Sequence, residues 1–84
     1  MPMYALIKFN LAAFKHGISE ANIRSAILNQ IYDDTFEDDP DKHLLIGFDS
    51  NANLLEILYN VIDGQNLKVF HAMKCRSAFL CLLK

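Results

Sequence analysis

The sequence predicts an α+β fold: an antiparallel meander of three strands whose apolar face packs against helices, with an N-terminal strand before them and a final helix at the C-terminus. Three observations carry that prediction. "HLLIGF", "LLEILYNVI" and "LKVFHAM" are short β-rich stretches joined by "DSNAN" and "DGQN", connectors whose Asn, Asp and Gly tolerate hairpin turns. Ahead of them, "SEANIRSAILNQIY" sets Ile23, Ala26, Ile27 and Ile31 at helical spacing behind a capping Ser19. Finally, 84 residues leave room for one core, so residues 1–84 read as a single domain.

Each element follows in order. "MYALIKF" is β-rich and reads as an N-terminal strand. "NLAAFKHG" reads as a short helix, capped by Asn10 and ended by Gly17 in the left-handed conformation. The Ser19 helix comes next, and then "DDTFEDDPD" reads as a solvated acidic loop closed by Pro40. The three strands form a meander. In the central one Leu55, Ile57, Tyr59 and Val61 alternate with Leu54, Glu56, Leu58 and Asn60. The first set is the core face toward the helices, and the second is a mixed face suited to function. In the third strand, strict alternation puts Leu67, Val69 and His71 on one side and Lys68, Phe70 and Ala72 on the other. Cross-strand register, which decides whether His71 joins Glu56 and Asn60, stays open. "CRSAFLCLLK" reads as a final apolar helix, giving the order β-α-α-β-β-β-α.

Composition narrows the setting. A hydrophobic fraction of 52% is slightly high for so small a domain and points to an interface. No apolar stretch approaches the roughly 20 residues that span a bilayer, and "MPMYALIKFN" has no basic region followed by an apolar run. Cys75 and Cys81 are six residues apart in the expected helix, about 240° around its axis, the wrong geometry for an internal disulfide. Reduced, buried thiols in a cytoplasmic protein are the expectation.

The net charge of −2 hides an uneven distribution. Asp33 to Asp41 carries six of the ten acidic residues and no base; the rest sets four acids against all eight Lys and Arg, a formal +4. A phosphate-binding face is therefore compatible with an acidic total. The acidic run lacks the spacing and turn glycine of a calcium loop. There is no phosphate-cradling glycine loop, and the dispersed His16, His43 and His71 have no zinc-like Cys–His spacing. No metal or cofactor is expected.

What remains is a cationic set: Lys15 and His16 at a helix end, then Lys68, His71, Lys74 and Arg76 around the last strand and its junction with the final helix. Such a set suits RNA cleavage. Histidine titrates near neutral pH and serves as base or acid, while Lys and Arg hold phosphate oxygens. His71, Arg76, Lys74 and His16 are the catalytic candidates; Lys15, Lys68, Lys74 and Arg76 are the phosphate-binding ones. The structural alternatives are a helix-end charge for His16 and a backbone-bonded strand histidine for His71. Lys74 and Arg76, expected in a first helical turn, oppose the helix dipole and need an acidic neighbour or an anionic ligand. Phe79, Leu80 and Leu83 are either core or a partner-binding surface, which leaves a homodimer open.

"KHGIS", an amphipathic helix and then "DDPDKHLLIGFDSNANLLEILYNVIDGQNLKVFHAMK" together resemble the BrnT-like and related small toxin families, within the RelE-like group of bacterial type II toxin–antitoxin systems. The likeness covers about residues 10 to 78. It implies a RelE-like fold, that is a small curved antiparallel sheet with two helices packed on one face and a C-terminal helix, together with metal-independent endoribonuclease activity on RNA (mRNA) and a cognate antitoxin protein as partner. Lys15 and His16 match the family's "KHG" pair, His71 and Ala72 its "SA" step, and Lys74 and Arg76 its basic cluster. Met73 stands where the pattern has arginine, and "FLCLL" replaces an acidic final-helix residue. The other reading is therefore a catalytically silent interaction module of the same fold.

Overall fold

The computed structural model describes residues 6–64 and 66–83, and the chain is α+β. Strands β1 (Leu6–Phe9), β2 (Gln30–Phe36), β3 (Asp39–Phe48), β4 (Leu54–Val61) and β5 (Asn66–Lys74) form one sheet in the order β1-β5-β4-β3-β2. Helices α1 (Glu20–Leu28) and α2 (Ser77–Leu80) are accompanied by 3-10 turns at Leu11–Phe14 and Cys81–Leu83. The expected meander is present but has four strands, β2 to β5. β1 pairs in parallel with β5, so the sheet is mixed rather than antiparallel. β1 and β2 lie at opposite edges, and the intervening chain crosses one face, where α1 packs on β3 and β4. The Met3 to Ala5 part of the expected first strand and Gln65 of the second turn lie outside the described residues.

The acidic run is not a loop. It forms most of β2, a tight turn at Glu37 and Asp38, and the start of β3. An edge strand and a hairpin tip leave carboxylates in water, so the charges do not prevent pairing; only Asp33 turns inward and it finds partners there. The helix before it stops at Leu28, because Asn29 takes the cap position and its Nδ2 donates back to Ser25 O at 2.9 Å. Ile31 is consequently the extra residue of a bulge in β2, 52% exposed and off the helical stripe.

The expected "NLAAFKHG" helix is a single 3-10 turn. Asn10 caps it as predicted, accepting from Ala12 N, and Gly17 has φ +81°. Ser19 caps α1 by accepting from Asn22 N at 3.1 Å. Among the described residues one helix and one turn, not two helices, therefore cover the core face. Ala13, Ile23, Ala26 and Ile27 meet Leu45, Leu55, Ile57, Tyr59, Leu67, Val69 and Ala72 there. Gly47 makes the close approach possible: a Cβ at this position would stand 2.0 Å from the Ala26 carbonyl oxygen.

A second bulge corrects the alternation in β5. Tyr59 pairs with Val69 but Leu58 pairs with His71, so Phe70 is an extra residue. Beyond it the faces exchange. Ala72 joins Leu67 and Val69 in the core, and His71 moves to the outer face beside the β4 residues Leu58 and Glu56. Two expectations about the C-terminus also change. The final helix is one short turn with no buried residue, and the 3-10 turn that follows it lies against β2. Cys75 is half-buried and Cys81 exposed, and both are free thiols. No helix among the described residues is long and apolar enough to cross a membrane.

Candidate functional site

The outer face is organised around Glu56, whose side chain is fully enclosed. A carboxylate in that position requires donors on every side, since burying an unpaired charge is very costly. Arg76 provides most of them. Its Nη2 donates to Oε2 at 2.7 Å, its Nε reaches both oxygens at 3.0 and 3.2 Å, and its backbone N–H donates to Oε1 at 2.9 Å. His71 Nε2 stands 3.0 Å from Oε2 and completes the shell. Burial pushes the Glu56 carboxyl up, but the Arg76 side chain, the Arg76 N–H and His71 outweigh it, and its pKa lies below the ordinary value. The bond to Glu56 holds Arg76 above its own already high range.

Local sequence explains the convergence. Glu56 alternates with core residues in β4, so it faces outward; the β5 bulge turns His71 to the same side; and β5 ends where the chain bends into α2 at Arg76. Arg76 occupies the N-cap position with no side-chain cap bond, so the dipole conflict expected of this cation is resolved by the Glu56 carboxylate. Its guanidinium also lies 5.3 Å from the centre of the Phe79 ring, tying the C-terminal turn to the sheet.

His16 reaches the same place. The β1–β5 ladder ends at Phe9 and Val69, leaving the edge of β5 open beside His71. The Leu11–Phe14 turn packs there, and the His16 ring meets His71 edge to face at 5.4 Å between centroids. His16 is exposed and His71 half-buried, so the pair is open to water on one side and backed by Glu56 on the other. With its Nε2 hydrogen engaged by Glu56, His71 keeps Nδ1 as the nitrogen for proton exchange.

Of the sequence candidates, His16, His71 and Arg76 come together, and exposed Lys15 adjoins them in sequence. Lys68 lies on the same face as His71, on the other side of the bulge. Lys74 does not join the group: it pairs with Leu55 on the helix-covered side, where its charge helps hold Asp49 ionised. The bulge is the reason, since it sends His71 outward and Ala72 and Lys74 the other way. Phe79 and Leu83 are half-buried and Leu80 is 42% exposed, so they are not core. Phe79 and Leu82 border an open cleft with Tyr32, Asp34, Phe36 and Leu44.

Sequence reasoning missed a second constellation. Asp33 accepts from the Tyr59 hydroxyl at 2.5 Å and lies 3.1 Å from His43 Nδ1, while the His43 and Tyr59 rings are 4.6 Å apart. Reading Asp33 as part of a loop removes the one partner that could reveal it. Among the described residues, no group of three or more His, Cys, Asp and Glu side chains is disposed to hold a metal ion.

No protein-family model, curated protein or solved structure matches this chain.

Proposed function

We propose that this protein is a metal-independent endoribonuclease acting on RNA, with the role of a toxin in a type II toxin–antitoxin system and a cognate antitoxin as its partner. The observation that carries the reading is the contact between His16 and His71, with His71 anchored on the enclosed Glu56 beside Arg76. Two imidazoles in contact, one oriented and one in water, supply the base and the acid that RNA cleavage needs. The "KHGIS" and "VFHAMKCR" segments, on which the toxin resemblance rests, contribute these same residues.

The chemistry follows from the arrangement. His71 Nδ1 removes the proton from a ribose 2′-OH, and the 2′ oxygen attacks the adjacent phosphorus. The P–O5′ bond breaks, and protonated His16 gives its proton to the departing 5′ oxygen. The products are a 2′,3′-cyclic phosphate and a 5′-hydroxyl. Arg76 and Lys15 stabilise the negative charge that builds on the phosphate oxygens. End-group analysis tests this directly: cyclic phosphate termini in EDTA, and no cleavage where the 2′-OH is replaced by hydrogen, are expected. Products bearing 5′-phosphates would contradict it.

A second reading has its own observation. Two guanidinium nitrogens of Arg76 are committed to Glu56, and Leu80 and Leu82 stay 42% and 41% exposed. This favours a silent module whose C-terminal turn binds a partner or a second copy. Self-association that is abolished by Leu80→Lys with Leu82→Lys, in a protein without cleavage activity, would support it.

A further inference from the structure

The strand register lines up three lysines across the outer face. Lys8 of β1 pairs with Lys68 of β5, Lys68 pairs with Asn60 of β4, and Asn60 pairs with Lys42 of β3. Core residues flank them in sequence, Ile7 and Phe9, Leu67 and Val69, Tyr59 and Val61, so the whole row points away from α1. At about 4.8 Å between neighbouring strands, the row is roughly 14 Å long. Like charges directly opposite each other in a sheet are destabilising, yet Lys8 and Lys68 are partners. Among the described residues, Lys8, Lys42 and Lys68 form no ion pair that would relieve them. Lys42 Nζ instead lies 4.6 Å over the Phe36 ring, so the row ends in an aromatic face.

From this unrelieved row we infer a phosphate track: a single RNA strand lies across the sheet along Lys42, Asn60, Lys68 and Lys8. The inference rests on the ribonuclease reading and adds to it the substrate's path. On β4 the row at Asn60 is followed on the same face by Leu58, whose partner is His71. A strand on the track therefore passes beside the two histidines. The acidic hairpin tip, Glu37 to Asp41, bounds the track at the Lys42 end by repelling the backbone. Phe36 there offers a ring on which a base can stack.

The test uses a fluorescent single-stranded 2′-deoxy oligonucleotide, which lacks the nucleophile and reports binding alone. Anisotropy titrations over a salt series compare wild type with a Lys8→Gln, Lys42→Gln, Lys68→Gln triple variant, and with Lys74→Gln on the opposite face. Every lysine–phosphate interaction that disappears should lower the slope of log affinity against log salt by about 0.7, so the triple variant should fall by about 2. Lys74→Gln should match wild type. Circular dichroism confirms that each variant is folded.

An unchanged slope in the triple variant, an equal decrease in Lys74→Gln, or no binding at low salt would overturn the track. Competition by polyglutamate as effective as by the oligonucleotide would also overturn it, in favour of an acidic protein ligand. The outcome is separable from the nuclease reading. Track-dependent binding without RNA cleavage leaves the track standing and removes the nuclease; cleavage with unaltered binding in the triple variant does the reverse.

Discussion

Glu56 and Arg76 are joined by three side-chain hydrogen bonds and a fourth from the Arg76 backbone, with the carboxylate fully enclosed and the arginine side chain 54% exposed. The relationship is asymmetric. Arg76 keeps part of its guanidinium in water, whereas Glu56 depends on its partners for all its solvation. It fixes the C-terminal turn to the sheet and holds His71 in one orientation, so one buried acid serves both stability and the site.

This predicts acid sensitivity with a definite sign. A carboxyl whose folded pKa is below its unfolded one contributes stability above the unfolded value, and loses it as pH falls through the folded one. For Glu56 the contribution is complete above about the ordinary 4.5 and declines below it. Asp49, also below its ordinary range, acts in the same direction: burial raises it, but bonds from Asn53 and Asn51 and the charge of Lys74 prevail. Urea unfolding between pH 7 and pH 3 should show wild type losing stability in the acid limb and Glu56→Gln showing a flatter one. Parallel curves would contradict this role for Glu56.

Gly47 provides a packing prediction. The Ala26 carbonyl stands where a Cβ would go, and a backbone group gives way poorly. Gly47→Ala should cost about 3 kcal/mol or more, at the upper end of overpacking effects. Gly17, with φ +81° and nothing near a built Cβ, should cost only about 1–2 kcal/mol as alanine. Equal midpoints in denaturant for the two variants would refute the distinction.

The Asp33 constellation is testable by removing one oxygen. Tyr59→Phe leaves the ring but deletes the hydroxyl that donates to Asp33. The expected destabilisation is about 1.5–3 kcal/mol, as for a hydrogen bond to a charged group, with RNA cleavage unchanged because the group lies on the other face from His71. A loss of cleavage in a folded Tyr59→Phe variant would show that the two faces are coupled.

The fold class is legible in the sequence where periodicity is clean. The alternation of Leu55, Ile57 and Tyr59, and the caps at Asn10 and Ser19, all appear as read. Periodicity misleads wherever an element breaks its own repeat. Bulges at Ile31 and Phe70 insert a residue without any marker in composition, and each moves side chains to the opposite face. That is why strict alternation puts His71 on the side of Val69, and why proximity in sequence groups Lys74 with residues it does not meet. The charge density of Asp33 to Asp41 suggests a loop because solvation, not pairing, usually decides such runs; edge position reconciles the two. His16 and His71 are 55 residues apart, and only the parallel placement of β1 beside β5 brings them together.

The central claim is that His16 and His71 act together on RNA. The most direct measurement is single-turnover cleavage of RNA by the purified protein in EDTA, free of any partner, beside folded His16→Ala and His71→Ala variants and their double variant. Each single variant should cleave about 10²-fold or more slowly. The double variant should be slower by far less than the product of the two effects, as for groups acting as a unit. Cleavage at the wild-type rate by His71→Ala, or none by the folded wild type, would contradict the claim.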